Sequence, residues 1–179
     1  TAFFARGGYL ETLRQKDDVP MNVVPGLGDH NVGINLAAGI LAALYHAKMT
    51  GEGEKVETSL FETAIFNMGM MIQAAQYPDV GTPFPINIRE NNNPFNACWK
   101  TKDGRYVQTC MPDYNMYFQK FLGALELTDI LEDDRFFPVL NLQANNLGTT
   151  VYDRVMARFG EKNYDEWAVI LTKADIPFA

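Results

Sequence analysis

The helical segment His30–Lys48 constrains the fold of this chain more than any other stretch of its sequence. Its apolar residues crowd round most of the helix circumference instead of forming one stripe: Val32, Ile34, Leu36, Ala37, Ile40, Leu41 and Leu44. A helix of this kind is buried, because a surface helix keeps a polar face toward water. The sequence therefore predicts a core helix, which Gly51 ends by adopting a left-handed C-terminal cap.

The composition limits the classes of function open to the chain. With 179 residues and 47% apolar content, it can build the core of one ordinary domain. The net charge of −7 comes without a basic stripe, which argues against a nucleic-acid surface but leaves room for a local positive pocket that binds a phosphorylated ligand. The only histidines and cysteines are His30, His46, Cys98 and Cys110, without a C-x-x-C pair, so we expect no metal site.

The sequence predicts a cytoplasmic protein without a membrane partner. Its best apolar run, Ile34–Leu44, is shorter than the roughly 18 residues of a membrane span. No signal peptide is recognisable, and few thiols with several methionines suit a reducing compartment. The chain starts at Thr1 without methionine and stops in a strand-like or loop-like stretch, Asp175–Ala179, so we expect an internal fragment of a longer protein.

Periodicity divides the chain into two structured parts and a segment between them. Residues 78–94, with four prolines and several asparagines, are predicted to be a linker or an active-site loop. Residues 1–77 are predicted to be an α/β part with four elements: a short helix over Thr1–Leu13 broken at Gly7-Gly8, the core helix, a strand over Glu54–Leu60 and an apolar helix over Phe61–Tyr77.

Residues 95–179 are predicted to form a smaller α+β domain. Ala97–Lys100 and Arg105–Cys110 flank an Asp-Gly turn, which is a strong β-hairpin signal. Helical patterns then follow over Tyr114–Leu125, Leu140–Phe159 and Tyr164–Ala174, the last with Asn163 as its N-cap.

One acid, Asp29, stands at the head of the long helix and has two interpretations. An aspartate before a helix is a favoured N-cap, because its carboxylate accepts hydrogen bonds from unpaired backbone N–H groups. The same place keeps a carboxylate ionised, and Gly26 and Gly28 clear room for a substrate to approach the backbone. An ionised, accessible carboxylate can act as a nucleophile. The pattern alone leaves both interpretations open.

Several motifs occur together in one order: Gly28-Asp29, Gly33, an alanine-rich helix, Thr50-Gly51-x-Gly53 and Val56-x-x-Ser59-Leu60. In this order they resemble CoA-transferase family III, the family of formyl-CoA and carnitine CoA-transferases. Five further stretches resemble its cinnamoyl-CoA:phenyllactate and 2-hydroxyisocaproate branch: Phe3–Gly8, Val24–His30, Ala74–Tyr77, Asn93–Phe95 and Ala174–Phe178. The resemblance covers almost the whole chain.

The resemblance implies a fold and a reaction. The chain would be part of a Rossmann-like large domain followed by the smaller α+β domain, in a protein that forms an interlocked homodimer when full length. Asp29 would attack an acyl-CoA thioester to form a mixed anhydride, and the CoA would pass to a small carboxylic acid, an (R)-2-hydroxy acid with an aryl or branched side chain. Gly28 and His30 would support the nucleophile, Leu60 would contact coenzyme A, and no metal would take part.

The asparagine-rich loop Asn91–Pro94 stands where formyl-CoA transferases carry a glycine-rich loop that shields the intermediate from water. By resemblance, Asn92 and Asn93 would form a lid or a wall of the acyl pocket. Arg89 could bind a substrate carboxylate with two parallel hydrogen bonds. The interpretation of residues 78–94 as a mere linker stays open beside this one.

Two other functions remain open at this stage. α-Methylacyl-CoA racemases share the Gly-Asp turn and use the acid for proton transfer at the α-carbon. Alternatively, the chain by itself is inactive and retains only an association surface.

Overall fold

The computed structural model describes residues 2–77 and 84–179, and the chain divides into two compact units, Thr1–Ile86 and Asn87–Ala179. The division falls inside the segment 78–94, and residues 78–83 of that segment lie outside the described residues. The assignment of 1–77, 78–94 and 95–179 to a large-domain part, a loop and a small domain stays a prediction.

The first unit is helical in its described part. The predicted break at Gly7-Gly8 is confirmed, because two short helices flank it. The helices are α1 (Ala2–Arg6), α2 (Tyr9–Thr12), α3 (Leu27–Thr50), α4 (Leu60–Asn67) and α5 (Gly69–Ala75).

Glycines in the left-handed conformation bound the long helix α3 at both ends. Gly26, with φ of 83°, precedes its first residue, so α3 begins three residues before the predicted His30. Gly51, with φ of 80°, ends it, and the Gly51 N–H donates to Ala47 O at 2.8 Å. A side chain is strained at such angles, which explains glycine at both positions. The predicted C-terminal cap is confirmed.

The prediction that α3 is buried is wrong for the described residues: Gly28 alone is buried, and most of the apolar side chains are exposed. The reason is that the described residues that contact α3, such as Thr63 and Val56, cover only a small part of its surface. Asn35 Nδ2 donates to Thr63 Oγ1 of α4 at 3.2 Å. Val56 lies so close to Gly39 that a β-carbon there would approach Val56 Cγ1 to 2.7 Å.

The long helix α3 also bears on the prediction that no segment spans a membrane. By length and composition, the 24-residue helix α3 could cross a membrane, with a mean hydropathy of 1.3 over its most apolar stretch. The run Ile34–Leu44 is only part of this helix, and residues that flank it, such as Val32, Gly33 and Tyr45, carry no charge. The core helix of a soluble protein passes the same test.

The strand predicted over Glu54–Leu60 is absent from the described structure of the first unit. Alternation alone does not make a strand, because a strand needs a hydrogen-bonded neighbour. Instead, Ser59 is extended and caps α4, accepting a hydrogen bond from Glu62 N–H at 3.1 Å. The single helix predicted over Phe61–Tyr77 is two helices, which separate at Met68.

The second unit packs helices against one β-hairpin. The strands β1 (Cys98–Lys100) and β2 (Tyr106–Gln108) pair antiparallel, with Trp99 opposite Val107, and confirm the predicted hairpin. Its helices are α6 (Tyr114–Ala124), α7 (Thr128–Leu131), α8 (Val139–Ala144), α9 (Gly148–Phe159) and α10 (Tyr164–Lys173), with 3-10 turns at Ile88–Glu90 and Asp134–Phe136.

Two of the three predicted helices in this unit are confirmed, and one divides in two. Leu140–Phe159 is interrupted between α8 and α9, where Asn146 takes a left-handed conformation with φ of 54°. Asparagine tolerates that conformation better than most residues, so it ends a helix locally. Asn163 caps α10 as predicted, and its N–H donates to Glu166 Oε2 at 2.9 Å in a capping box.

An aromatic cluster forms the core of the second unit. Trp99 is fully buried and stacks on Phe159, with centroids 5.6 Å apart, and Phe159 in turn contacts Trp167 at 4.8 Å. Trp99 Nε1 donates to Thr109 Oγ1 at 2.8 Å, and the Thr109 hydroxyl donates to Phe95 O at 2.5 Å. One buried hydroxyl thus satisfies two groups that water cannot reach.

The hairpin turn is fastened to the start of α10 through Asp103. Its carboxylate accepts hydrogen bonds from the Thr101 hydroxyl at 2.5 Å, Arg105 Nε at 2.8 Å and Tyr164 N–H at 3.4 Å. These interactions, led by the bond from Thr101, lower the pKa of Asp103 to about 2. The folded state therefore stabilises the ionised form of Asp103.

We predict that Thr109→Val destabilises the second unit. The substitution keeps the shape but leaves the buried Trp99 Nε1 and Phe95 O without their partner, at a cost of about 1–3 kcal/mol. Urea unfolding followed by tryptophan fluorescence measures the change. Thr172→Val, on the exposed side of α10, is the matched control, and equal losses in both variants would contradict the account.

We predict that Asp103→Asn changes the acid sensitivity of the second unit. Because the folded-state pKa of Asp103 is depressed, its contribution is full above the unfolded pKa of about 4 and disappears as the pH falls toward the folded value. The variant should unfold at a lower temperature than the original protein at neutral pH, and the two should converge near about pH 2. Thermal unfolding at several pH values tests this, with exposed Asp134→Asn as control.

Candidate functional site

Asp29 is the third residue of α3 and is exposed. The interpretation of Asp29 as the N-cap is wrong, because the helix starts at Leu27 and Gly26 occupies the capping position without a side-chain hydrogen bond. Within residues 2–77 and 84–179, no hydrogen bond or ion pair engages the Asp29 side chain. The carboxylate therefore stands in the positive field of a helix N-terminus and is reachable from solvent.

Gly28 is a glycine because another side chain occupies the space beside it. A β-carbon built on Gly28 would lie 1.9 Å from Cζ of Phe3 and 2.7 Å from Cε2 of the same ring. The space beside Gly28, which the sequence analysis assigned to a substrate, is therefore filled by an aromatic ring from α1. Position 26 requires glycine for a different reason, because its backbone is left-handed and would strain any side chain.

His30 follows Asp29 and is exposed, like its neighbour. Its imidazole folds back over the turn, so that a β-carbon on Gly26 would lie 3.6 Å from both Cε1 and Nδ1 of the ring. The backbone N–H of His30 donates to Gly26 O at 3.0 Å and closes the first helical turn. The structure thus brings Gly28, Asp29 and His30 together at one helix end.

Leu60 lies elsewhere in the first unit. It is the first residue of α4, half-buried, directly after the Ser59 cap. Its predicted contact with coenzyme A stays a prediction.

Arg89 is engaged by another side chain. Its Nε donates to Asp153 Oδ1 at 3.0 Å and its NH2 group donates to Asp153 Oδ2 at 2.5 Å. This pairing raises the pKa of the Arg89 guanidinium above its ordinary value. Thr149 Oγ1 also donates to Arg89 O at 3.2 Å. In this structure the two parallel hydrogen bonds that could bind a substrate carboxylate instead fasten the loop to α9.

Asn93 is also used within the loop. Its Nδ2 donates to Met111 O at 2.7 Å, and its Oδ1 accepts a hydrogen bond from Phe95 N–H at 3.1 Å. The bond to Met111 holds the asparagine-rich loop to the segment that follows β2. Asn93 is therefore a structural tie for the loop in the second unit.

Asn92 remains exposed and lines a recess of about 270 Å³. Half of the eight residues that line the recess carry side-chain amides, namely Asn91, Asn92, Gln143 and Asn146, and the others are Glu90, Leu142, Gly148 and Thr149. A wall of this kind hydrogen-bonds hydroxyl and carbonyl groups. Asp29 belongs to the first unit and this loop to the second.

Two residues of the site were missed by sequence reasoning. Phe3 belongs to the Phe3–Gly8 stretch that resembles the family, and no local pattern shows that its ring contacts Gly28. Asp153 lies 64 positions from Arg89, so their pairing follows from packing alone. Among residues 2–77 and 84–179, no cluster of three or more histidine, cysteine, aspartate or glutamate side chains could hold a metal ion.

Comparisons with known proteins find relatives that are named as CoA-transferases. The cinnamoyl-CoA:phenyllactate CoA-transferase of Clostridium sporogenes is 49% identical over 179 residues, which is 100% of this chain and 43% of that protein. The (R)-2-hydroxy-4-methylpentanoate CoA-transferase of Clostridioides difficile is 41% identical over 180 residues, covering 99% of this chain and 43% of that protein. The chain thus spans less than half the length of these relatives.

Solved structures and a family comparison agree with this placement. The crystal structure of Rv3272 from Mycobacterium tuberculosis superposes with a TM-score of 0.78 at 18% identity, covering 99% of this chain and 44% of that one. This likeness shows the fold, and with it the predicted α/β class. The sequence matches the family described as CoA-transferase family III over residues 1–179. With the Gly28-Asp29 turn inside that match, the chain belongs to CoA-transferase family III.

Proposed function

We propose that the protein is a CoA-transferase in which Asp29 is the nucleophile. It moves CoA from a 2-enoyl- or acyl-CoA donor to an (R)-2-hydroxy acid through an aspartyl-acyl anhydride. The observation that carries the proposal is the exposed Asp29 carboxylate, which lies in the first turn of α3 and has no partner among the described residues. Such a group is charged and free to attack.

The reaction divides a difficult exchange into easier steps. A carboxylate oxygen of Asp29 attacks the thioester carbon, the C–S bond breaks, and CoA leaves as the thiolate. The thiolate then attacks the aspartyl carbonyl, which releases the donor acid and leaves an aspartyl-CoA thioester. The acceptor carboxylate attacks the aspartyl-CoA carbonyl and expels the CoA thiolate, which forms a second anhydride. The thiolate then attacks the acceptor carbonyl, which gives acceptor-CoA and releases the Asp29 carboxylate. One thioester replaces another, so no ATP is required.

The substrate class follows from the relatives. Two proteins that are 49% and 41% identical are named for phenyllactate and (R)-2-hydroxy-4-methylpentanoate. These acids share a carboxylate beside an (R)-hydroxyl and differ in an aryl or branched side chain. We therefore propose an acceptor of that class, with acyl-CoA and coenzyme A as the other reactants, and no metal in the reaction.

We also propose that the enzyme acts as a cytoplasmic homodimer, without a nucleic-acid or membrane partner. The family resemblance supports the dimer, and the net charge of −7 disfavours nucleic acid. Exposed apolar side chains on α3 suit a helix that is covered in the whole protein.

Asn92 is proposed as the acceptor-facing residue of the loop. Among the three predicted loop residues it is the exposed one whose side chain has no hydrogen-bond partner in the described residues, whereas Arg89 and Asn93 are held by Asp153 and Met111. The amide of Asn92 can donate to a carboxylate or accept from a hydroxyl. The two fastened residues would then set the shape of the loop, and Asn92 would meet the acid.

We predict that Asp29→Asn abolishes transfer in the full-length protein. An amide is a far weaker nucleophile, so kcat should fall about 1,000-fold or more while the fold is retained. Coupled assay of acceptor-CoA formation measures this, with circular dichroism as the check on folding. Glu52→Gln is the matched control, because Glu52 is an exposed acid just beyond the opposite end of α3.

Hydroxylamine separates the two enzyme functions that the sequence left open. With donor acyl-CoA present, a transferase should yield a hydroxamate on Asp29, detectable by peptide mass spectrometry. A racemase forms no anhydride and would leave Asp29 unlabelled. Full transferase activity in Asp29→Asn would contradict the proposal outright.

We predict that Asn92→Ala weakens acceptor binding without destabilising the protein. Loss of one hydrogen bond should raise the KM for the acceptor acid about fivefold to tenfold, with kcat nearly unchanged. Steady-state kinetics with the acceptor varied at saturating donor gives both values. Asn145→Ala, exposed on the same unit but outside the recess, should leave the KM as it is, and the opposite ranking would remove Asn92 from the acceptor site.

A further inference from the structure

We infer that Phe3 is a positioning residue for Asp29: its ring packs on Gly28 and holds the first turn of α3 in the conformation that presents the carboxylate. The inference rests on the proposed function of Asp29 as the nucleophile. Phe3 itself would touch no reacting atom and would act on Asp29 through the backbone of Gly28.

The contact between Phe3 and Gly28 leaves no space for another group. All three nearest atoms to a β-carbon built on Gly28 belong to the Phe3 ring: Cζ at 1.9 Å, Cε2 at 2.7 Å and Cε1 at 3.0 Å. Contacts below 3.0 Å are not found for real β-carbons. The ring therefore lies directly on the backbone of the residue before Asp29.

The ring itself is held by the rest of α1. Phe3 contacts Phe4 with centroids 4.4 Å apart, and buried Phe4 contacts Tyr9 at 4.8 Å. At the other end of α1, a β-carbon on Gly7 would lie 3.0 Å from Cβ of Ala64, so α1 approaches α4 closely. Because both ends of α1 are packed, the Phe3 ring has a defined place.

The first turn of α3 needs such a support. Gly26 precedes the helix without a side-chain cap, and Gly28 follows within the turn. Gly28, inside the turn, loses more backbone freedom on ordering than alanine would, so a turn without a side-chain cap frays easily. A nucleophile misplaced by about 1 Å can lose about 100-fold in rate. The Phe3 ring replaces the missing cap as the element that orders Asp29.

Moving side-chain volume from position 3 to position 28 tests the inference in the full-length protein. We expect Phe3→Ala and Gly28→Ala each to lower the rate of hydroxamate formation at Asp29 about 10- to 100-fold, with the KM for donor acyl-CoA little changed. In the double variant the new methyl group occupies the space that the ring vacates. The double variant should therefore recover about tenfold over Gly28→Ala.

Two further variants separate positioning from general stability. Phe3→Tyr adds a hydroxyl to Cζ, the ring atom that points at Gly28, and should therefore lower the rate as Gly28→Ala does. Met68→Ala makes a cavity at the end of α4 in the same unit, and should lower the unfolding temperature without lowering the single-turnover rate. This set also covers the case in which one alanine variant fails to fold, since Phe3→Leu provides a milder loss of the ring.

The outcomes have distinct meanings. A rate in Phe3→Leu equal to that of the original protein, strictly additive losses in the double variant, or parallel losses in Met68→Ala would each overturn the positioning role while leaving the nucleophile intact. An original protein that forms no hydroxamate at Asp29 would instead remove the proposed function, and the inference with it.

Discussion

The account depends on one constraint: the first turn of α3 must present a carboxylate without using it to cap the helix. The helix begins at Leu27, so that Asp29 lies inside the turn rather than before it. The helix field favours its charge, and no described side chain neutralises it. Gly26 and Gly28 permit this geometry but make the first turn less ordered. The contact of the Phe3 ring with Gly28 offsets that loss of order.

Features with a local cause were predictable from the sequence. Gly51, Gly104 and Asn163 each determine a cap or a turn through their own backbone preference or side chain, and the structure confirms all three. The motif order predicted the family correctly, because the Gly28-Asp29 turn, the helix and the Val56–Leu60 stretch occur together.

Features with a non-local cause were not predictable. The strand over Glu54–Leu60 alternates correctly but finds no neighbour in the described first unit, and α3 is apolar but largely uncovered there. Pairing of Arg89 with Asp153 joins residues far apart in sequence. In the candidate site, the identity of Asp29 could be predicted, whereas the reason for glycine at position 28 required coordinates, because the Phe3 ring that excludes a β-carbon comes from another helix.

Oxygen exchange tests the central claim most directly. In the proposed cycle the bridging oxygen of the second anhydride comes from the acceptor acid and stays on Asp29 when the CoA thiolate attacks the acceptor carbonyl. After turnover with an acceptor labelled with heavy oxygen in its carboxylate, peptide mass spectrometry should find the label in the peptide that contains Asp29. Efficient transfer that leaves this peptide unlabelled would contradict covalent catalysis by Asp29.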